Sequence, residues 1–139
     1  MSSITKINKK METTKKVLKV QLWASYLLQG LVVLMFLMGA IMNLLQTEEA
    51  LTGATAMGYP KESVFYLGVL LLIGTLLYAF PKTVIFGAII LTGWLGGAVA
   101  THVIHKDPMF NIVFPVIFGI VLWLSILLRN KNLKALLSN

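Results

Sequence analysis

The chain has 139 residues, of which 58% are hydrophobic and 12% are charged, with a formal net charge of +7 and no cysteine. A soluble domain has about 25% charged residues, so this chain has too little polar surface to face water on all sides and belongs in a bilayer. The length suits one domain of four spans. The lack of cysteine excludes disulfides, thiolate zinc sites and iron–sulfur clusters.

The first nineteen residues form a basic segment, which we predict to be a cytoplasmic tail (1–19). It contains six lysines and a single acid, Glu12; the lysines are Lys6, Lys9, Lys10, Lys15, Lys16 and Lys19. Lysines beside a span are attracted to anionic headgroups by about 1 kcal/mol each. The segment has no aromatic residue on which a base could stack. We therefore expect the partner to be an anionic lipid surface and not nucleic acid.

The first apolar run, 20–45, is too long for the core of a signal peptide and is predicted to stay attached as a helix. Its polar residues are Gln21, Ser25, Gln29 and Asn43, spaced four, four and fourteen apart. This spacing places them on roughly one side of a helix. That side is expected to face protein.

The segment 46–63 is polar and holds three of the five acids. Thr47 precedes Glu48 and Glu49, and Gly58 and Pro60 follow, which is typical of a short capped helix. We expect this helix to lie flat on the membrane surface.

Three further spans are predicted at 64–80, 84–104 and 110–128. Residues 60–63 can add a first turn to the second span, and Pro81 ends it. Because only 81–83 separate the second and third spans, these two helices are expected to be antiparallel neighbours. Pro115 either kinks the fourth span or marks its first turn. The four spans form one transmembrane domain, 20–129, followed by a second tail, 130–139.

The distribution of lysine and arginine predicts the orientation. With four spans, the amino segment, Lys82 and the carboxyl tail share one side, whereas the other side has only Lys61 and Lys106. The positive-inside rule then places both termini in the cytoplasm.

The third span repeats small residues at a spacing of four, from Gly93 to Gly97 to Thr101 and from Gly96 to Ala100. Small residues let another backbone approach closely. We predict that Gly93, Gly96, Gly97 and Thr101 pack helices and that this span is central. A dimer face and close approach of the backbone to a ligand are the two alternatives.

Several segments resemble the DoxX-like family of small four-span membrane proteins, from about Leu31 to Leu137. They include LYAFPKT at 77–83, LTGWLGGAVATH at 91–102 and Phe114-Pro115-Val116. The resemblance implies an all-α four-helix transmembrane bundle. The family is named after a subunit of an archaeal thiosulfate:quinone oxidoreductase, and most members have no established activity. It also implies a multi-pass protein, and we expect it in the bacterial cytoplasmic membrane.

Polar side chains collect at the outer level of the predicted bundle. Asn43 and His102 each lie within about one turn of the outer interface, and Glu62 and Tyr66 are at the same level. We predict that Asn43 and His102 face one another, with Glu62 and Tyr66 as the nearest other partners, and form the mouth of a ligand or partner site. The alternative is that His102 only joins helices by hydrogen bonding.

Two tryptophans, Trp94 and Trp123, lie near mid-span, away from the interfacial belt. They line an apolar pocket or belong to the core. His102 and His105 are three residues apart on one helix face and cannot ligate a haem from two sides. No metal or haem is expected, and a quinone is the one cofactor that the family suggests.

Two classes of function stay open. The first is a non-enzymatic subunit or scaffold that binds an apolar ligand, a quinone or lipid, or a membrane partner, including a second copy of itself. The second is a catalytic quinone-linked oxidoreductase subunit. Because redox ligands are missing from the sequence, the first is favoured.

Overall fold

The computed structural model of the protein describes residues 2–138, which form six helices and no strand. The helices are α1 (Ser3–Leu44), α2 (Glu48–Ala56), α3 (Lys61–Ala79), α4 (Val84–Ile104), α5 (Met109–Leu127) and α6 (Lys131–Ser138). Four of them, α1, α3, α4 and α5, are long and apolar enough to cross a membrane. The predicted all-α fold with four spans is confirmed.

Helices α1, α2, α3 and α5 each begin at a residue suited to that position. The Ser2 hydroxyl accepts from the amide of Thr5 ahead of α1, and the Thr47 hydroxyl accepts from the amide of Ala50 ahead of α2. Glu48 and Glu49 lie in the first turn of α2, where the helix dipole favours negative charge. The prediction of a short capped helix in this loop is confirmed. Proline precedes both α3 and α5.

Three helices end with a residue in the left-handed region, and these residues are Gln46, Gly58 and Lys106. In each case the amide of the following residue donates to the carbonyl of the residue five positions before it, as in a Schellman motif. After α4, the amide of Asp107 donates to the carbonyl of His102 over 3.0 Å. The turn therefore folds Asp107 back against the last turn of α4.

The four long helices form a ring. Helix α1 packs on α3 and α5, and so does α4, whereas α1 and α4 make no contact within the described residues. Helix α1 thus lies diagonally opposite α4. The prediction that the third span is central was wrong, because in a ring each helix has two neighbours and none lies in the middle.

Helix α1 runs without a break from the basic segment into the bundle. It has 42 residues and so extends about 63 Å, twice the roughly 30 Å of bilayer hydrocarbon. Residues 3–20 are exposed on every side, and Ser25 is the first buried residue. The basic segment is therefore a helical extension beyond the bundle. Further along, Ser25 and Gln29 are buried and Gln21 and Asn43 half-buried, so the expected protein-facing side is confirmed.

Close helix contacts are made by glycines other than the predicted ones. A Cβ at Gly87 would overlap the backbone of Tyr78, and one at Gly68 would lie 2.9 Å from the amide nitrogen of Leu44. At Gly74 it would lie 2.9 Å from Ile90. These three glycines bring α3 against α4 and α1.

The packing role predicted for Gly93, Gly96 and Gly97 was wrong within this chain. A Cβ at any of the three meets no other heavy atom within 4 Å. A spacing of four residues marks one face of a helix, but the rotation of the helix in the bundle decides which face meets a neighbour. Here the contacts of α4 use other faces.

Pro115 lies inside α5 and is buried, so the alternative that it marks the first turn was wrong. The helix begins earlier, at Met109, directly after Pro108.

The two ends of the ring differ in character. The first, here called the α2 end, contains the connections 45–60 and 105–108. The second, called the basic end, contains the turn 80–83 and residues 128–131, including Lys82, Arg129 and Lys131.

Candidate functional site

A cavity of about 720 Å³ lies at the α2 end, between α3 and α4. Val64, Leu67 and Leu70 of α3 line one wall. Helix α2 contributes Gly53 and Ala54 to the lining and packs on α3, so it closes the end of the cavity. The space is therefore bounded by three helices and is open on its outer side.

The opposite wall is one face of α4, formed by Ile90, Gly93, Trp94, Gly97 and Ala98. Because neither glycine has a side chain and nothing lies within 4 Å of a Cβ built there, the backbone of α4 is open to the cavity. The stripe is therefore open within this chain, which leaves a dimer face and close approach of the backbone to a ligand as the two alternatives.

Polar groups of the lining include Asn43, Tyr59, Thr101 and His102, all at the α2 end. The Thr101 hydroxyl donates to the carbonyl of Gly97 over 2.9 Å, so its proton is engaged. The Tyr59 hydroxyl lies 2.6 Å from the Thr101 hydroxyl oxygen and therefore donates to it. This bond fixes the loop before α3 to the last turns of α4.

His102 is paired with Asp107. Its Nδ1 lies 2.6 Å from a carboxylate oxygen of Asp107, and the two side chains are 23% and 22% exposed. A carboxylate accepts, so Nδ1 carries the proton, and Nε2 is left available to a ligand. The Schellman turn after α4 creates this pair, because it brings Asp107 back over His102.

The predicted juxtaposition of Asn43 and His102 is met only in part. Both residues line the cavity, although they come from diagonally opposed helices. The side-chain partner of His102 is Asp107, however, and not Asn43, Glu62 or Tyr66. Asp107 was not among the predicted site residues, because it meets His102 only through the left-handed turn at Lys106.

His105 connects the two loops of the α2 end. Its Nε2 lies 2.6 Å from the carbonyl of Met57 and donates to it. The loop that follows α2 is thereby held against the end of α4.

Three other predicted site residues lie outside this cavity. Glu62 and Tyr66 are exposed on the first turns of α3, and Tyr66 is 71% exposed with its ring at 80° to that of Phe65. Trp123 lines a separate groove of about 480 Å³ between α4 and α5, together with Gly96, and its Nε1 donates to Thr92 over 2.9 Å. Residues at the same depth along the bundle point in different directions around the ring. Equal depth therefore does not predict that two side chains share a site.

A second polar cluster, near the basic end, was not predicted. The Arg129 guanidinium donates from Nη1 to the Ser25 hydroxyl over 2.7 Å, and that hydroxyl donates to the carbonyl of Ser125. The Tyr78 hydroxyl bonds the Ser125 hydroxyl. The sequence does contain a pattern that indicates this cluster, namely the four-residue spacings from Ser25 to Gln29 and from Ser125 to Arg129. Each pair lies on one helix face.

Within residues 2–138, no group of three or more histidine, aspartate or glutamate side chains is placed to hold a metal ion. The His102–Asp107 hydrogen bond lies at the α2 end of the cavity, where the polar lining groups gather.

The model of the DoxX-like family matches residues 27–125, which include α3, α4, the whole cavity lining, most of α5 and the part of α1 from residue 27 onward. No curated protein and no solved structure matches the chain. With four helices apolar enough to span a bilayer, this is an integral, multi-pass membrane protein. The chain belongs to the DoxX-like family.

Proposed function

We propose that this DoxX-like protein binds a lipophilic small molecule with a polar head, a quinone or a lipid, and acts as a non-enzymatic membrane component. One observation carries the proposal. The cavity between α3 and α4 has apolar walls, and its polar groups gather at the α2 end. A ligand with an apolar tail and a hydrogen-bonding head matches this distribution.

The volume of the cavity supports a ligand of this kind. At about 720 Å³ it falls within the range of small-molecule sites, which is roughly 300–1,000 Å³. Leu67, Leu70 and Trp94 offer apolar and aromatic surface for a ring or an acyl chain.

Access to the cavity is from the lipid side. Gly93, Gly97, Leu70 and Ile89 line it and are also exposed on the outer surface of the ring. The gap between α3 and α4 therefore faces the region that acyl chains occupy. A lipophilic molecule can enter from the bilayer without crossing water.

The cavity lining offers hydrogen-bond donors and acceptors to the polar head of the ligand. Tyr59 and Thr101 are already paired with each other, whereas His102 offers Nε2 and Asn43 its amide. We propose that His102 makes the principal polar contact with the ligand, because Asp107 holds its ring in one orientation.

The alternative is a catalytic quinone-linked oxidoreductase subunit, and the same His102–Asp107 pair favours it. An imidazole oriented by a carboxylate is suited to accept a proton from a quinol hydroxyl. The two candidates differ in one observable. A binding component leaves the redox state of a bound quinol unchanged when a soluble electron acceptor is added, whereas a catalytic subunit oxidises it at a rate that falls in Asp107→Asn.

The basic extension of α1 completes the proposal for membrane placement. Its six lysines lie on an exposed helix that continues directly into a span. We propose that this helix contacts anionic headgroups of the bacterial cytoplasmic membrane, with both termini in the cytoplasm.

The test uses the fluorescence of Trp94 in the full chain, reconstituted in nanodiscs and titrated with a quinone bearing a short alkyl tail. Quinones quench tryptophan, so binding in the cavity should quench Trp94 in a saturable manner. Trp94→Phe should remove the saturable component, and Trp123→Phe should keep it. If quenching rises linearly with the bilayer content of quinone in every variant, the cavity does not bind quinone.

Two glycines of α4 provide a matched pair of blocking variants. Gly97→Leu puts a side chain into the cavity, whereas Gly96→Leu puts the same side chain into the groove on another face of α4. Neither new Cβ meets a neighbour, so both variants are expected to fold. Gly97→Leu should lose the saturable quenching and any lipid that co-purifies, and Gly96→Leu should retain both. Equal behaviour of the two variants would contradict the proposal.

A further inference from the structure

The basic end contains a second pocket, which the proposed function does not use. It has a volume of about 360 Å³ and lies where α5 ends and α6 begins. Its polar lining residues are Arg129, Asn130, Lys131 and Asn132. The apolar residues Val84 and Ile126 line it as well. The pocket therefore combines two cations and two amides with an apolar wall.

Arg129 is held in an unusual way for an arginine at the end of a span. It does not extend into water but folds against the bundle, with Nη1 on Ser25 and the guanidinium 4.8 Å from the centre of the Tyr26 ring. Its Nη2 is buried and has no acceptor among residues 2–138. A guanidinium normally satisfies its donors, because a buried donor without an acceptor is costly.

No carboxylate of the described residues is available to neutralise this site. Glu48, Glu49, Glu62 and Asp107 are at the α2 end, and Glu12 lies in the exposed extension of α1. Asn130 uses its side-chain oxygen to accept from the amide of Leu133, so its NH₂ group is left as a donor. The polar side chains of the pocket thus offer donors and positive charge to an external acceptor.

The pocket lies where the apolar helices α4 and α5 have their ends, which is where lipid headgroups are expected. The adjoining helix α6 has Lys131 and Lys134 together with the exposed Leu136 and Leu137, and its Leu133 packs on the core. Such a helix suits the interface between headgroups and acyl chains. Basic pockets between helices at a membrane surface are suited to lipid phosphates.

We infer that this pocket binds a phosphate oxyanion, supplied by the headgroup of an anionic lipid, with Arg129 and Lys131 as its cationic partners. Arg129 and Lys131 both line the pocket, and their positive charges favour a phosphate oxyanion. The inference is independent of the proposed ligand cavity, because the two sites lie at opposite ends of the ring.

The experiment measures retention of individual lipids by native mass spectrometry of the full chain, released from nanodiscs that contain phosphatidylcholine with or without phosphatidylglycerol. One bound phosphatidylglycerol should survive release from the wild-type chain. Lys131→Gln should lower its retention by about tenfold, which corresponds to one charge-assisted contact. Lys134→Gln removes the same charge from the same helix, outside the pocket lining, and should leave retention unchanged.

Arg129→Gln should lower retention as Lys131→Gln does. If that variant does not fold, because Ser25 loses its partner, Lys131→Gln still decides the outcome, since Lys131 is exposed. A separate arm adds inorganic phosphate to the protein in pure phosphatidylcholine and records the thermal transition. Stabilisation by phosphate that Lys131→Gln abolishes, together with lipid retention that this variant leaves unchanged, would assign the oxyanion to a soluble phosphate in place of a lipid. If Lys131→Gln and Lys134→Gln behave alike in both arms, the inference is overturned.

Discussion

The side chain of Gln29 donates a 2.7 Å hydrogen bond to the main-chain carbonyl of Tyr78, across the interface between α1 and α3. Tyr78 lies in the last turn of α3, which ends at Ala79, so its carbonyl has no partner within the helix. The neighbouring carbonyl of Leu77 faces Pro81, which has no amide proton, and accepts from the Thr83 hydroxyl over 2.8 Å instead. Two side chains thereby satisfy carbonyls that the end of α3 leaves without an amide donor.

Loss of the Gln29 bond should destabilise the protein. Gln29→Leu has a similar volume but leaves the buried carbonyl of Tyr78 without a donor, at a cost of about 1–3 kcal/mol. The measurement is the free energy of unfolding in detergent. Gln21→Leu, two turns earlier on the same helix side, is the control and should change stability by less than about 0.5 kcal/mol. Equal effects of the two changes would show that the bond contributes nothing specific.

Replacement by alanine should change the stability of the protein differently at two glycines of α4. Gly87→Ala places a Cβ into the backbone of Tyr78 and should destabilise the protein by about 2 kcal/mol or more. Gly93→Ala meets open space and should keep stability or raise it, because alanine favours helix more than glycine does. Thermal transitions of both variants in one detergent test this. A loss at Gly93 as large as at Gly87 would contradict the assigned helix contacts.

His102 should affect ligand binding more than folding. His102→Gln removes the nitrogen that faces the ligand, and the saturable quinone affinity should fall by roughly 2- to 10-fold, as for one hydrogen bond. The thermal transition should move little. His105→Gln is the matched control, because His105 bonds Met57 at the same end without lining the cavity. An affinity that falls only with His105→Gln would assign the polar contact to the loop and not to the pair with Asp107.

Asp107 should act through His102. Asp107→Ala removes the acceptor for Nδ1 and frees the imidazole to rotate, so quinone affinity should fall about as far as in His102→Gln. In the double variant the losses should not add, since both changes disable one hydrogen-bonding unit. Quenching titrations of the two single variants and the double variant measure the coupling. Additive losses would mean that the two residues contribute independently.

The orientation of the chain is predicted to place both termini in the cytoplasm. A reporter active only in the cytoplasm should be active when fused after Asn139 and inactive when inserted at 52–55 in α2. The physical reason is the excess of lysine and arginine at the basic end and on the α1 extension. The reverse activity pattern would overturn this orientation and the proposed inner-leaflet contacts.

Much of the local structure could be predicted from the sequence. Proline, glycine and the length of each apolar run determine where helices begin and end, so α4 spans the predicted residues and α5 differs by one residue at either end. The cap at Thr47 and the extra turn before Val64 were predictable for the same reason, because capping depends on neighbouring residues alone. The common level of Asn43 and His102 followed from helix rise.

Only the tertiary structure decided which faces of those helices meet. Small residues at a spacing of four mark two faces of α4, but the rotation of α4 in the ring leaves Gly93 and Gly97 open and presses Gly87 on Tyr78 instead. The tertiary structure also decided which polar groups meet. Arg129 bonds Ser25, which lies 104 residues earlier in the chain. Periodicity within one helix contains no information about such pairs, because the relative rotation and order of helices arise from the packing of all four together.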